Sequence, residues 1–480
     1  MRIFSSIIFA LAVAVPALTV SAAISESEVS EAVAAAKKSP SNRALNFAAG
    51  NALKEAGRYR ESIPFYLKAN NTANLKLAEV YFQLYDFDRA QEYLDKYVAK
   101  RSKAEAAADA NFLPSGAVEP VDWTDYLAER ILTGRSMLDR VEKVQIIDSV
   151  NVPFTDFYRA IRLAAPAGSL LSGEQIENIV EPEWLRQHSV EQFSDAAYVS
   201  ENGDDVIWVG SDANGDRSTM YESVRLVGGK WDNPVKLFDY NSIFGEDSGS
   251  WIDFPFLMSD GVTLYFAADG DKSLGGLDIF ISRRDEDGFL QPSNIGMPYN
   301  SPDNDYLYAI DEVTGTGWWV TDRNHLGDSV TIYTFIPQDL RINYPVDTPD
   351  LASYARVSSI KSTWQEGNDY ADVRARIEAL AGSGKSRSRE KFAFAIPGGR
   401  IYTKLEDFNS DDARQAFVHY LVEQKKFNLD REKLASLRLS YHRGDTSVAD
   451  EIRSLEREIE RQRSELRKEA NGVIELETGK

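Results

Sequence analysis

A 58-residue periodicity constrains this chain more than any other feature of its sequence: Asp195 recurs as Asp253, Gly203 as Gly261, Trp208 as Phe266, Trp231 as Phe289, Pro234 as Pro292 and Leu237 as Ile295. Each copy alternates β-branched and aromatic runs with Gly, Asp, Asn and Pro turns, which reads as several short strands. A looser third copy runs through Asp305-Tyr306-Leu307-Tyr308, Gly317-Trp318-Trp319-Val320 and Val330-Thr331-Ile332-Tyr333. One sheet of about four strands cannot cover its own two faces, so such repeats stack radially. The expected architecture of residues 144–337 is therefore a small β-propeller. At ~55 residues per unit the span holds three to four sheets, which leaves blade number and closure open.

The preceding region, 26–143, is rich in Ala, Leu, Glu and Lys at helical spacing. It holds a shorter repeat: Gly50, Gly57, Tyr59, Ser62, Tyr66 and Ala69 in the first copy, and Ala78, Tyr81, Asp86, Phe87 and Ala90 in the second. The offset from Ser62 to Ala90 is 28 residues. Small residues where helices cross, with aromatics plugging the gap to the next pair, are what a helix-turn-helix solenoid needs. The pattern resembles tetratricopeptide repeats, shortened between copies around Asn70 to Thr72; a plain helical bundle is the alternative.

The second β copy carries a more specific resemblance. Phe254-Pro255-Phe256-Leu257-Met258-Ser259-Asp260-Gly261-Val262-Thr263-Leu264-Tyr265-Phe266-Ala267 is similar to the repeat core of the WD40-like propeller of TolB-type proteins. The likeness continues through Leu274-Gly275-Gly276-Leu277-Asp278-Ile279-Phe280, Arg283-Arg284, Asp287-Gly288 and the stretch Gln291 to Pro302. Tetratricopeptide-like helices followed by such a propeller resemble an envelope family of Gram-negative bacteria. Many of its members add an OmpA-like, peptidoglycan-binding domain, whose motif is not found here. The resemblance implies a periplasmic scaffold without established catalysis. The blade residues also have physical roles of their own. Asp260-Gly261 suits a tight hairpin. Gly275-Gly276 lets the next strand start close to its neighbour, and Asp278 can accept backbone N–H bonds there. Pro292 closes the aromatic-x-x-Pro ending of the repeat.

The amino terminus bears on compartment. Met1-Arg2, an apolar run from Ile3 to Val20, and small residues at Val20-Ser21-Ala22-Ala23 have the layout of a secretory signal peptide over 1–22. A retained anchor is the alternative. Lys plus Arg is 54 against Asp plus Glu 75, a net charge of −21, which repels a phosphate backbone and argues against nucleic acid as partner. With no cysteine, thiolate zinc sites, disulfides and cysteine nucleophiles are out of reach.

Residues 338–480 return to helices, interrupted by a hairpin-like stretch at 391–403 that could donate a closing strand to the propeller. Asp411 to Glu423 and Asp430 to Tyr441 read as helices. Val448, Ile452, Leu455, Ile459, Gln462 and Leu466 alternate spacings of four and three, a coiled-coil seam with one polar break within 446–470. Its partner is either the chain's own preceding helices or a second molecule. The whole is expected to be a multi-domain α and β protein: a helical-repeat solenoid, a central small β-propeller and a helical, coiled-coil C-terminal segment.

Chemistry-bearing constellations are weak. Ala379 to Ser386 ends like a phosphate loop but lacks the first Gly. His188, His325, His419 and His442 share no ligand spacing. The alternating acids Asp212, Asn214 and Asp216, Asp285 and Asp287, and Asp303 and Asp305 lack the terminal Glu of a calcium loop. Asp311 and Glu312 could serve glycoside chemistry only at a defined separation. No catalytic residue, cofactor or metal site is expected. Trp208, Trp231, Trp318 and Trp319 form the candidate interaction surface, with core packing as the alternative. The expected function is a non-catalytic periplasmic scaffold supporting an outer-membrane or secretion-type assembly, with envelope proteins as partners. A glycan- or peptide-binding propeller and a glycoside hydrolase or lyase are the alternatives.

Overall fold

The computed structural model describes residues 24–112, 120–172, 175–176, 179–201, 203–212, 218–225, 230–239, 251–270, 272–285, 288–312, 314–323, 328–338, 340–364, 370–371, 373–375, 394–396, 400–402, 404–442 and 446–479. The leader-like segment 1–22, the stretch 379–386, His325, Asn214, Asp216 and Asp287 lie outside them. No helix among the described residues is long and apolar enough to cross a membrane.

The chain is a mixed helix and sheet protein with several antiparallel sheets, none of them closed among the described residues. Helix α1 (Glu26–Lys38) starts at a capping box in which Ser25 and Glu28 exchange hydrogen bonds. Two helix hairpins come next: α2 (Arg43–Glu55) with α3 (Tyr59–Ala69), then α4 (Asn74–Gln83) with α5 (Phe87–Val98). The 28-residue offset is carried by the turns themselves. At the end of α2, Gly57 N–H bonds to the Lys54 carbonyl and Arg58 N–H to that of Leu53. At the end of α4, Tyr85 bonds to Phe82 and Asp86 to Tyr81 in the same way. Both turns need a left-handed residue. Gly57 supplies it at φ +69°, whereas Tyr85 adopts φ +61° at the cost of Cβ crowding. Gly50 permits the first crossing, since a Cβ there would lie 2.6 Å from the Tyr66 ring. A short 3-10 turn, Asn70–Ala73, shortens the link between the hairpins. After α6 (Lys103–Asp109), helix α7 (Trp123–Leu138) begins four residues before the expected Leu127, because Asp122 caps it by accepting from Thr124 N–H at 2.8 Å.

Strand β1 (Gln145–Pro153) leads into the sheets. The first sheet contains β2 (Ser169–Leu171), β3 (Gln192–Phe193), β4 (Ala197–Val199), β5 (Asp205–Ser211), β6 (Thr219–Val224) and β7 (Val235–Asp239). The second contains β8 (Trp251–Leu257), β9 (Thr263–Asp269), β10 (Asp278–Arg283) and β11 (Ser293–Asn294). Strand β5 maps onto β9 residue for residue at the 58-residue offset, β6 falls on β10 within a residue, and β7 starts where β11 does. The third sheet holds β12 (Asp305–Asp311), β13 (Thr316–Thr321) and β14 (Ser329–Ile336), in the order β1-β14-β13-β12. Its fourth strand is thus borrowed from ahead of the first sheet. That is why the third copy looks short in the sequence.

The repeated aspartate marks a recurrent irregularity. Pairing shifts register between Asp253 and Phe256 in β8, and between Asp305 and Leu307 in β12. In the first sheet the equivalent strand breaks between β3 and β4, at Asp195. Each bulge turns the next side chain toward a shared centre. There Phe254 and Tyr306 meet Phe154 and Phe157 from the segment after β1, with ring centroids 4.9 to 6.2 Å apart. That segment packs on the second and third sheets, and the Ala164 N–H bonds to Asp311 of the third at 2.8 Å. The first and second sheets are clamped by Arg284, which reaches both oxygens of Glu222 at 3.0 and 2.9 Å with both side chains buried.

Beyond the sheets lies α8 (Leu351–Ala355), then α9 (Asp411–His442) and α10 (Ala449–Thr478). The two helices expected between 411 and 441 are one continuous helix. The predicted seam is real and internal: Ile452 and Ile459 are buried against Phe427 and Leu434 of α9, with Val448, Leu455 and Leu466 beside them. The polar break, Gln462, donates to Asp430 of α9 at 2.7 Å. Among the described residues the hairpin β15 (Phe394–Ile396) and β16 (Arg400–Tyr402) joins no other sheet. Phe394 and Tyr402 pack on Phe408, Phe417 and Val473, so the expected closing strand instead buries its aromatics at the base of the helical pair.

Candidate functional site

Three of the four tryptophans expected to form an interaction surface, Trp208, Trp318 and Trp319, are part of the interior. Trp208 and Trp319 are fully buried and Trp318 is 3% exposed. Trp208 stacks on Tyr221 and donates its indole N–H to Ser223 at 3.0 Å. Trp318 and Trp319 do point to opposite faces, but both faces are covered: Trp318 joins the core shared by all three sheets, and Trp319 stacks on Tyr333 between the second and third. Trp231 is half-buried against the outer cluster of the first sheet. Sheet faces that pack on other layers keep Trp208, Trp318 and Trp319 out of solvent.

The blade residues behave as their turn chemistry requires. Gly261 has φ +67°, and Asp260 accepts from the N–H groups of Val262 and Thr263 at 2.8 Å. Asp278 accepts from Leu274 and Gly275 N–H at 2.8 and 3.1 Å and from Asn294 at 2.6 Å. Burial and the nearby Asp305 push it up to about 7. Pro292 is buried. Gly275 and Gly276 have a second role: a Cβ on Gly275 would sit 1.9 Å from the Asp303 carbonyl oxygen, and one on Gly276 2.2 Å from Asn304 Oδ1. Their loop is pressed between the third sheet and the helices, with Leu274 buried in the helical core.

At this junction α7 meets the second sheet. Arg130, 7% exposed, donates to the Ser273 carbonyl at 2.9 Å and to Asp269 at 3.1 Å. Its guanidinium lies 4.1 Å over the Tyr126 ring. Burial raises Asp269 to about 6 against the pull of Arg130, and carries the Tyr126 hydroxyl to about 12. Beside this pair opens a groove of about 550 Å³. Half-exposed rings line it: Tyr59 from α3, Phe112, and Trp123 and Tyr126 from α7. Phe112 stands edge-on to Trp123 at 4.5 Å, and Trp123 stacks along Tyr126 at 5.7 Å. At one end Lys54 and Lys76 share the single carboxylate of Glu79, the latter at 2.9 and 3.0 Å. Partly exposed rings with a polar rim are suited to holding an extended segment.

Sequence reasoning did not single out Trp123, Tyr126 and Arg130. Their signal was present as i, i+3 and i+7 spacing on one helix face. What hid it was the reading of that helix as starting at Leu127.

The acids weighed for chemistry are committed elsewhere. Asp311 accepts from Ala164 and Thr314 N–H, and Glu312 from Ser259. Asp305 binds Arg323 at 2.8 Å and Ser301 N–H at 2.6 Å, which occupies the oxygens a calcium ion would need. Among the described residues no group of three or more metal-ligating side chains converges. His188 stacks on Trp184 at 3.8 Å, and His419 faces Glu469 at 3.4 Å. Comparison with family models, curated proteins and solved structures finds no match to this chain.

Proposed function

We propose that the chain is a non-catalytic envelope scaffold that holds other proteins, with the aromatic groove between helices and sheets as its docking place. The observation that carries this reading is the groove's construction. Four half-exposed rings stand on a junction locked by a buried ion pair, so the contact surface is presented without needing to be ordered on binding. The helix hairpins are read as tetratricopeptide-like and the three sheets as a small WD40-like propeller of TolB type, an architecture suited to extended contact surfaces. Export to the periplasm, association with an outer-membrane or secretion-type assembly, and envelope proteins as partners complete the proposal.

The test is a cross-linking capture from native envelopes with the full chain and with Trp123→Ala/Tyr126→Ala. Partners that copurify with the native chain and vanish with the variant support the reading. Identical partner sets, with the variant folded, would sink it. Open aromatic faces also suit a sugar ring. Titration with cell-wall fragments addresses that second reading, which requires a shift in Trp123 fluorescence.

A further inference from the structure

A second groove, of about 830 Å³, runs between α3, the α4–α5 turn and α8. Its apolar walls include Ile63, Leu84, Phe87 and Leu138. At the end formed by α3 and α8, hydrogen-bond donors collect. Tyr85 lines the groove, is 5% exposed, and its hydroxyl forms no hydrogen bond among the described residues. Arg60, on the same wall, is exposed and makes no ion pair among them. Arg356, one turn beyond Ala352 of the groove, is half-buried and equally without an ion pair. Burial and the facing Arg60 hold its guanidinium below the ordinary arginine value.

In a chain with 75 acidic residues, two adjacent arginines here make no ion pair among the described residues. Two neighbouring acids are turned to other work, Asp86 pairing with Arg89 at 3.2 Å and Asp88 with Arg135 at 2.8 Å, while Asp350 binds Ser353 and its charge also reaches Arg356 without an ion pair between them. Asp139 stands at the Leu138 end of the groove. Two guanidiniums and a phenol hydroxyl present a fork of donors that fits a carboxylate, while the apolar walls fit the chain that carries it.

We propose that this groove binds an acidic segment of a partner protein, with Arg60, Arg356 and Tyr85 gripping its carboxylate. Tyr85 sits where the first hairpin has Gly57, so the ring is held in place by the same tight turn that ends α4. The site stands apart from the aromatic groove and does not depend on the function proposed for it.

The experiment titrates the full chain with a hexaglutamate peptide by calorimetry, with inorganic phosphate and hexalysine in parallel. The expected result is saturable hexaglutamate binding that weakens with salt and does not occur with hexalysine. Arg60→Glu should weaken it about tenfold or more, and Tyr85→Phe about threefold. Arg60 is exposed and the Tyr85 hydroxyl is unbonded, so both variants keep the fold and remain informative if Arg356→Met does not. Absent binding, or binding that both variants leave unchanged, overturns the proposal. Phosphate that binds as tightly and displaces the peptide overturns the peptide as occupant.

Discussion

Asp253 shows how much depends on a single buried side chain. It is 3% exposed, accepts from the Phe254 N–H at 2.6 Å, and burial together with Asp195 pushes it up to about 8. The native state therefore holds a proton that the unfolded chain has already lost. Stability is fully present below the ordinary carboxylate range and declines as pH rises toward about 8. Denaturant melts between pH 5 and 7 should show a fall of roughly 1.4 kcal/mol per pH unit from this group, and Asp253→Asn should flatten it. A slope of opposite sign would contradict the protonated assignment. Gly275→Ala tests a different residue-scale constraint. The atom in the way is backbone, so the loop must move, at a cost of about 1–3 kcal/mol in the denaturation midpoint. Turn chemistry made Asp260, Gly261 and Asp278 legible in the sequence, because each acts on its near neighbours. The second duty of Gly275 was not legible, because Asp303 reaches it only through the fold.

Among the elements, the C-terminal helical pair was the most readable. A four–three apolar spacing demands a partner helix, and the loop from α9 to α10 is short enough that the nearest helix wins. Gly472, inside α10, has open space around its missing Cβ. Gly472→Ala should therefore raise stability by up to about 1 kcal/mol, read as a higher melting temperature for that helical pair. Glu477 pins the base of the pair by accepting from Asn409 N–H, Ser410 N–H and the Tyr402 hydroxyl at 2.7 to 3.1 Å. Burial opposes its charge, but these bonds hold it down to about 2. Glu477→Gln should accelerate hydrogen exchange at the Asn409 and Ser410 amides; unchanged protection would mean the hairpin is held by its aromatics alone. The strand tryptophans were the harder elements to read. Alternation predicts opposite faces for Trp318 and Trp319, but which faces are wet depends on how many layers stack.

At the scale of the whole molecule, buried contacts couple the helices to the sheets. Arg130 and Asp269 are 9% and 10% exposed at their side chains, and removing one partner leaves a buried charge. Arg130→Met should cost about 3–5 kcal/mol and split thermal unfolding into separable helical and sheet transitions. A single cooperative transition at the native midpoint would show that the pair carries no coupling. Truncation of 446–480 should bare Phe427 and Leu434 and unfold α9, so loss of partners in such a variant would not by itself identify α10 as a contact.

Periodicity is a local property, and the sequence alone determined its direct consequences: the 28-residue helix hairpins, the 58-residue strand repeat, the tight turns and the helical seam. Each needs only residues within one or two elements to satisfy hydrogen bonds and bury one face. Tertiary structure decided the rest. It placed β1 on the far side of the third sheet and packed Phe154 and Phe157 against Phe254 of the second sheet, with Phe154 also on Tyr306 of the third. It also buried Trp208, Trp318 and Trp319 and left Tyr59, Phe112, Trp123 and Tyr126 half in water. Those outcomes depend on which surfaces meet after the chain has turned back on itself, and no spacing along the chain records that.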